Sequence, residues 1–381
     1  MTPVRQSLFI LVITLIAVSA RQFRLKHVSV VFRHGDRAPD TNAAERFPND
    51  PYVNDDFFPH GVGGLTNQGK RREFVLGRKL RDFYGDFLGD IYSPLTTYGR
   101  STNYERTKMS LQAVMAGLFP PTQAQRWHPD INWQPVITDY VSSENDFIMV
   151  PEECPQYLRE LRRVKNLPDV RNKLSEFSVL MRDLSDWTGK QFRSSNDMFN
   201  LYHALTAENS LNLDLPRWSA DIFPNGLLLN GTILEYDVAS YGQKLKRLNG
   251  GMLLRNIIET MENVIERRSR RKLTLLSGHE TNVAALLKTL GIYYPHVPQY
   301  SSAVIVELLS DGEEYYIRIK YYLGIPAVAE EMSIPGCNSP CSFRQFIRVL
   351  RSVIPSDEDM ICVKDKVNNM NDYYNYYSAT P

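Results

Sequence analysis

Two short and nearly continuous apolar segments constrain the fold of this chain more than any other feature. They are "HVSVVF" at 27–32 and "KLTLLSG" at 272–278. Apolar runs of this length are typical of strands that are covered on both faces, as in a parallel sheet between layers of helices. Two further strands are predicted at 303–309 and 315–323 from their β-branched and aromatic residues.

Helical sequence lies between these strands. Residues 65–89, 104–119 and 281–291 carry apolar side chains at helical spacing, and Thr66 stands where an N-cap residue is expected. Because strands and helices alternate, we predict an α/β fold with a mostly parallel central sheet flanked by helices.

The middle of the chain has a different character. Residues 141–235 are rich in Leu, Asn, Ser and charged residues and contain few β-branched runs. This composition predicts a smaller helical cap domain inserted into an α/β core formed by residues 21–140 and 236–381.

The first twenty residues predict a secreted protein. A basic residue, Arg5, precedes an apolar run from Leu8 to Val18, and small residues end the segment at Ala20. This is the pattern of a signal peptide cut after residue 20. A membrane anchor is the alternative, but a span needs roughly 20 apolar residues. We therefore expect an extracellular protein, and a lysosomal location is less favoured.

The overall charge excludes some partners. The 381 residues include 44 Lys and Arg against 43 Asp and Glu, so nothing global favours nucleic acid or an anionic membrane surface. A basic binding site in this chain must be a local concentration of charge.

The cysteines and one sequon fit secretion. Cys154, Cys337, Cys341 and Cys362 are an even number, and four cysteines allow three pairings. The short spacing of "PGCNSPC" favours Cys337–Cys341, which leaves Cys154–Cys362. The "NGT" sequon predicts glycosylation at Asn230, in what we expect to be a surface loop. A zinc site is disfavoured because His and Cys pairs do not cluster in the sequence.

The first apolar segment ends in "FRHGDRAP". Polar residues at the carboxyl end of a strand in an α/β sheet lie where such sheets bind ligands. Arg33 and Arg37 flank His34, and two guanidinium groups beside an imidazole suit a bound oxyanion such as phosphate. Solvated arginines at a chain corner are an equally good explanation of this segment alone.

Two more segments have the same character. In "LTLLSGHETNVAALL", His279 and Glu280 stand between a strand and a helix whose N-terminus can bind an anion. Glu280 is also explained as an ordinary acid of a first helical turn. In "TTYGRSTNYERTKMS", Arg100 comes just before a helix and Arg106 follows six residues later.

Together these segments resemble the histidine acid phosphatase family, the extracellular and lysosomal branch of the histidine phosphatases. The family motif R-H-G-x-R-x-P is complete from Arg33 to Pro39, and its mid-chain motif is similar to "RSTNYERTKMS". The segments "GLTNQGKRREFVLGRKLR", "LNGGMLL", "PQYSSAVIVEL" and "IPGCNSPC" add to the resemblance, which spans nearly the whole mature chain. The leader and length are most similar to insect secreted and venom members.

The resemblance implies an acid phosphatase that hydrolyses phosphate monoesters through a phosphohistidine on His34. Phosphate would be held by four side chains: Arg33, Arg37, Arg100 and His279 as an imidazolium. Glu280 would protonate the leaving oxygen, and a protonated carboxyl and imidazole would both favour acidic pH. The resemblance implies no metal and no other cofactor, the two disulfides named above, and a homodimer as an allowed assembly.

One residue departs from the family pattern. The family has Asp where this chain has Glu280, which adds a methylene to the proton donor. A misplacement of about 1 Å can reduce a rate on the order of 100-fold. The alternative function is therefore a secreted phosphoester-binding protein that keeps the pocket and has lost turnover. The sequence leaves the physiological substrate open.

Overall fold

The computed structural model describes residues 22–40 and 44–362, which form eight strands and twelve helices. The predicted signal peptide lies outside the described residues. The strands are β1 (Arg24–Arg33), β2 (Thr97–Ser101), β3 (Asp139–Tyr140), β4 (Leu273–Gly278), β5 (Ala303–Ser310), β6 (Tyr315–Tyr322), β7 (Ala329–Met332) and β8 (Cys341–Ser342). The helices are α1 (Asn67–Leu88), α2 (Glu105–Leu118), α3 (Pro155–Lys165), α4 (Pro168–Ser175), α5 (Ser178–Thr188), α6 (Ser195–Ser210), α7 (Leu227–Ala239), α8 (Gly242–Leu248), α9 (Gly250–Ile265), α10 (Glu280–Leu290), α11 (Phe343–Leu350) and α12 (Asp357–Ile361).

All eight strands belong to one sheet in the order β3-β2-β4-β1-β5-β6-β7, and β8 also pairs with β6. The pairings from β3 to β1 are parallel, and those from β1 onward are antiparallel. The predicted α/β class, with a sheet that is parallel in its core and flanked by helices, is confirmed. The four predicted strands correspond to β1, β4, β5 and β6.

Both faces of the sheet are covered, which explains the continuous apolar runs. Val31 and Leu276 pack on one face in a cluster with α9 and α10, and Val30 and Leu275 pack on the other face with α1 and α2. Successive residues of a strand point to opposite faces, so a strand buried on both sides needs apolar residues at nearly every position.

The parallel register brings three strand ends to one edge of the sheet. Arg33 pairs with Gly278 and Ser101 pairs with Ser277. The chain continues in register beyond the strands, because the His34 amide donates to the Gly278 carbonyl (2.9 Å). The residues that follow β1, β2 and β4 are therefore neighbours in space.

Strand β2 was not predicted. Its sequence "TYGRS" is short and polar, and from the sequence Arg100 was placed only just before a helix. The strand forms because its backbone pairs with β4 on one side and β3 on the other. Backbone hydrogen bonding to a central strand outweighs a weak local preference for strand.

The region 141–235, all of which the structure describes, contains no strand and holds α3 to α6 and most of α7. Two apolar clusters join this region to the rest of the chain. One joins Leu184 of α5 and Leu205 of α6 to Ala284 of α10, and the other joins Tyr157 of α3 to helices α8 and α9. The helical character agrees with the prediction, and the division into a core and a cap domain stays a prediction.

Both predicted disulfide pairings are present. Cys154 is bonded to Cys362 and Cys337 to Cys341. Asn230 is exposed, but it lies in the first turn of α7 and not in the loop that we expected. Among residues 22–40 and 44–362, no helix combines the length and apolar character that a membrane crossing requires.

Candidate active site

The loop after β1 is held closely against the start of α1. A Cβ at Gly35 would lie 2.5 Å from the carbonyl oxygen of Gly69, so only glycine permits this approach of the two backbones. Thr66 caps α1 as predicted, because its hydroxyl accepts from the Gly69 amide (3.1 Å) and also donates to the Asp36 carbonyl (3.1 Å). The helix start thereby fixes the loop that carries His34.

His34 has the geometry of a nucleophile. The ring is buried, and its Nδ1 lies 2.8 Å from the Gly35 carbonyl. A carbonyl can only accept, so Nδ1 carries the proton and the lone pair lies on Nε2. Burial, and then the positive charge of Arg106, lower the pKa of His34 well below its usual range. The ring is therefore neutral in acidic solution.

Arg33 presents unpartnered donors beside His34. Its Nη1 donates to the Pro298 carbonyl (2.7 Å), and its guanidinium lies 4.1 Å from the ring centre of Tyr300. Its Nη2 is buried and has no hydrogen-bond partner among the described residues. A buried cationic N–H group without a partner is costly, so this donor is suited to receive an anion.

Arg37 and Arg106 complete a cluster of three guanidinium groups around His34. Both act electrostatically on the His34 ring and both have a buried Nε without a hydrogen-bond partner in the described part of the chain. Arg37 is paired with Glu45, and Arg106 lies 3.1 Å from Asp40. Burial and repulsion from Arg37 lower the pKa of Arg106, which shows how closely the cations are crowded.

Arg100, the predicted phosphate ligand, has a different partner. It lies on β2 and forms an ion pair with the buried carboxylate of Asp146. Arg106, and not Arg100, is the foremost charge that acts on the His34 ring. The ion pair holds Arg100 at Asp146, whereas the first turn of α2 brings Arg106 to His34.

His279 follows β4 and faces His34, with ring centres 5.5 Å apart. Its Nε2 lies 3.0 Å from the Thr102 hydroxyl, and its backbone amide donates to the side chain of Asn282 (2.9 Å). Burial and the charge of Arg106 lower the pKa of His279 to about 3. The free site therefore holds an imidazole here, and the predicted imidazolium would need a bound anion to stabilise it.

Glu280 begins α10 and is buried. Its Oε2 lies 3.4 Å from Arg33 Nε, and its Oε1 lies 3.6 Å from His203 Nε2. Burial favours the neutral carboxyl, but the electrostatic interactions with His203 and the Arg33 guanidinium outweigh burial and lower the pKa of Glu280 to about 2. The free site thus holds a carboxylate, and not the protonated acid that the sequence suggested.

From the sequence, no role in the site was assigned to Arg106, although it was named, or to three further residues: His203, Glu45 and Asp40. Arg106 had a usable signal, since it lies in the first helical turn after a strand end. His203 had none, because it comes from helix α6 and meets Glu280 only through tertiary packing.

The assembled site is a buried cationic pocket around a neutral imidazole with a free lone pair. Arg33, Arg37 and Arg106 can bind and neutralise the oxygens of a phosphoryl group, and His34 Nε2 can attack its phosphorus. Glu280 remains at the pocket despite its extra methylene, since its carboxylate lies beside Arg33.

The family is established by comparison with known proteins. The histidine phosphatase superfamily (branch 2) profile matches residues 24–322, so the chain belongs to this superfamily. The chain is 44% identical over 355 residues to the venom acid phosphatase of Apis mellifera, covering 92% of this chain and 91% of the relative.

Mammalian acid phosphatases are also similar. The prostatic acid phosphatase of Rattus norvegicus is 31% identical, with 93% of each chain covered. The lysosomal acid phosphatase of Homo sapiens is 31% identical, covering 89% of this chain and 80% of the relative. Nothing in these comparisons favours the alternative of a protein that binds phosphoesters without turnover.

Solved structures agree on the fold. The Klebsiella sp ASR1 phytase superposes with a TM-score of 0.66 at 17% identity, covering 91% of this chain and 99% of the phytase. The apo form of the Hafnia alvei phytase gives a TM-score of 0.63 at 15% identity, covering 89% and 98% of the two chains.

Proposed function

We propose that this protein is a secreted acid phosphatase that hydrolyses phosphate monoesters through a phosphohistidine on His34. One observation carries the proposal. His34 Nδ1–H donates to the Gly35 carbonyl, so Nε2 has a free lone pair, and three guanidinium groups surround the ring. Secretion rests on the predicted leader and on similarity to a venom enzyme.

The substrate phosphate would be bound by Arg33, Arg37, Arg106 and His279. In this proposal Arg106 takes the place that the sequence assigned to Arg100. The unpartnered N–H groups of the three arginines would donate to the phosphoryl oxygens. Their charges would supply the neutralisation that metal ions supply in other phosphatases.

The transferred proton would come with the substrate. A phosphate monoester has a second pKa of about 6, so it enters as a monoanion in acidic solution. Its P–OH proton can pass to the Glu280 carboxylate, because the bound phosphate offsets the cations that lower the pKa of Glu280.

The reaction then has two steps. His34 Nε2 bonds to phosphorus as the bond to the leaving oxygen breaks, and Glu280 gives that oxygen its proton. Water next attacks phosphorus as the bond to His34 Nε2 breaks, and it gives a proton to Glu280. Glu280 returns this proton to the phosphate, which leaves as a monoanion and restores neutral His34 and the Glu280 carboxylate. The helices of residues 141–235 would select the leaving group.

The test uses hydrolysis of 4-nitrophenyl phosphate at acidic pH and acid-quench trapping of a radiolabelled phosphoenzyme. The unaltered protein should turn over and form an acid-labile, base-stable adduct. The variant His34→Ala should lose both. Full activity in His34→Ala would exclude the proposed nucleophile, and a wild type that binds phosphate without turnover would support the binding-protein alternative.

A further inference from the structure

Glu280 bridges the sheet edge and the helical region, and the inference below rests on its proposed role as proton donor. Each of its two oxygens faces a different group. Oε2 lies 3.4 Å from Arg33 Nε at the end of β1, and Oε1 lies 3.6 Å from His203 Nε2 on α6. The two oxygens are therefore not equivalent.

His203 is a buried histidine that the reaction described above does not use. Its ring is 2% exposed and packs edge-on against Phe199, with ring centres 4.4 Å apart. Its Nε2 lies 3.4 Å from the hydroxyl of Tyr236, and its Nδ1 has no hydrogen-bond partner among the described residues. Close packing by aromatic rings fixes the direction of the imidazole plane.

The surroundings select one protonation state for His203. Burial lowers its pKa to about 3, so the ring is neutral and carries one proton. Both polar neighbours, Glu280 and Tyr236, lie on the Nε2 side. A proton on Nε2 has acceptors there, whereas a proton on Nδ1 would be a buried donor without a partner.

We propose that His203 is the positioning residue of the proton donor: its Nε2–H points at Oε1 of Glu280 and leaves Oε2 as the oxygen that carries the transferable proton. The 3.6 Å separation is too long for a hydrogen bond in the free site. Such contacts often shorten only when the substrate is bound. Oε2 is the oxygen on the Arg33 side, where the phosphate binds.

The other groups around Glu280 cannot replace this contact. The Arg33 guanidinium forms its ion pair with Oε2 and not with Oε1. Glu152 and Tyr236 respond to the charge of Glu280, but Glu152 offers no cationic N–H group and repels Glu280 once it is ionised, and the hydroxyl of Tyr236 lies against His203. Within the described residues, His203 is the side-chain donor that lies beside Oε1, while His279 and the backbone amide of Glu280 also act on the carboxylate.

The role has a specific kinetic signature. A proton on the leaving oxygen matters most when the leaving group is a poor one, such as an aliphatic alkoxide. It matters little for 4-nitrophenolate, which leaves as a stable anion. Misplacing the donor should therefore reduce kcat/KM selectively for an alkyl phosphate. Damage to the fold or to phosphate binding should instead reduce kcat/KM for the alkyl and the aryl substrate by similar factors.

The experiment compares kcat/KM for glycerol 2-phosphate and 4-nitrophenyl phosphate in the full chain. In His203→Leu, kcat/KM should fall by about 10- to 100-fold for the alkyl substrate and by less than about threefold for the aryl substrate. His203→Gln places an amide N–H near the position of Nε2 and should recover most of the loss. His203→Asn keeps a polar side chain but falls short of Glu280, so it should behave like His203→Leu and replaces that variant if it does not fold.

Two controls separate the outcomes. His27→Leu makes the same change at a buried histidine at the other end of β1 and should leave the substrate ratio unchanged. In a Glu280→Gln background, His203→Leu should cause no further selective loss. Equal losses on both substrates, or no loss in His203→Leu and His203→Asn, would overturn the role of His203. An unchanged ratio in Glu280→Gln itself would instead overturn Glu280 as the donor.

Discussion

The guanidinium of Arg37 is bound by both carboxylate oxygens of Glu45, with Nη1–Oε2 at 2.9 Å and Nη2–Oε1 at 2.5 Å. This is the bidentate arrangement that a phosphate group also adopts with arginine. Glu45 therefore holds a proposed phosphate ligand in place and also competes for its charge.

Removing that competing charge should tighten phosphate binding. In Glu45→Gln, we expect the inhibition constant of inorganic phosphate to fall by roughly fivefold, since a nearby charge is worth about 1 kcal/mol in a screened site. Exposed Glu313→Gln is the matched control and should leave the constant unchanged. A weaker binding of phosphate in Glu45→Gln would mean that Glu45 acts only by orienting Arg37.

Arg106 and Arg100 should behave differently on substitution. Arg106→Ala removes a cation beside His34 and should lower kcat/KM by about 100- to 1,000-fold, as loss of one transition-state donor does. Arg100→Ala leaves Asp146 buried without its cation, so it should lower the melting temperature and change kcat/KM much less. The reverse pattern would restore Arg100 as the phosphate ligand.

The alkaline limb of the pH profile of kcat/KM should be set by the second pKa of the substrate phosphate. The lowered pKa values of His34 and Glu280 make the free site a neutral imidazole and a carboxylate in mildly acidic solution. The reactive substrate is then the monoanion, which disappears above its second pKa of about 6.

A substrate whose phosphate is more acidic should move the alkaline limb of kcat/KM to lower pH by the difference between the two phosphate pKa values. Burial raises the pKa of Glu152 to about 7, so Glu152→Gln is the control and should leave the limb in place. If the alkaline limb lies at the same pH for both substrates, a titrating group of the protein causes it.

Glu208 should make the protein more stable in acid than in base. It is fully buried, and burial raises its pKa to about 8, with Asp50 and Glu45 adding to the effect. The folded protein therefore keeps a proton between the ordinary glutamate pKa and about pH 8 that the unfolded chain has lost. Stability must fall as pH rises through this window.

The substitution Glu208→Gln removes the titration at nearly constant shape. At pH 8 it should raise the free energy of unfolding by roughly 1–3 kcal/mol, and at pH 5 it should change little. Thermal melts at the two pH values measure the effect, with exposed Glu176→Gln as the control. Equal effects at both pH values would show that folding does not raise the pKa of the Glu208 carboxyl.

The two disulfides should contribute unequally to stability. Cys154–Cys362 spans a separation of 208 residues, and Cys337–Cys341 spans 4. In the chain-entropy description, losing the long closure costs about 5 kcal/mol and losing the short one about 2 kcal/mol. Paired Cys→Ala replacements at each bridge, compared by denaturant unfolding, should show this order.

Much of the site could be predicted because it follows strong local patterns. The apolar runs at β1 and β4 are long enough to identify buried strands, and His34 and His279 each come directly after one. From the sequence, phosphate binding was assigned to Arg100 and no role was given to Arg106, because β2 is too short and polar to be recognised as a strand. Without β2, nothing indicates which of the two arginines faces the pocket.

The sequence by itself determined the α/β class and the pairing of the cysteines, and it predicted His34 as the nucleophile. The class and the predicted nucleophile depend on regular periodicity and on residues adjacent in the chain, and the cysteine pairing follows from the short spacing of Cys337 and Cys341. Only the tertiary structure decided that Arg106 faces His34, that Glu45 binds Arg37 and that His203 meets Glu280. It also decided the charge states of His279 and Glu280, because desolvation and the crowding of three guanidinium groups arise only when distant segments pack together.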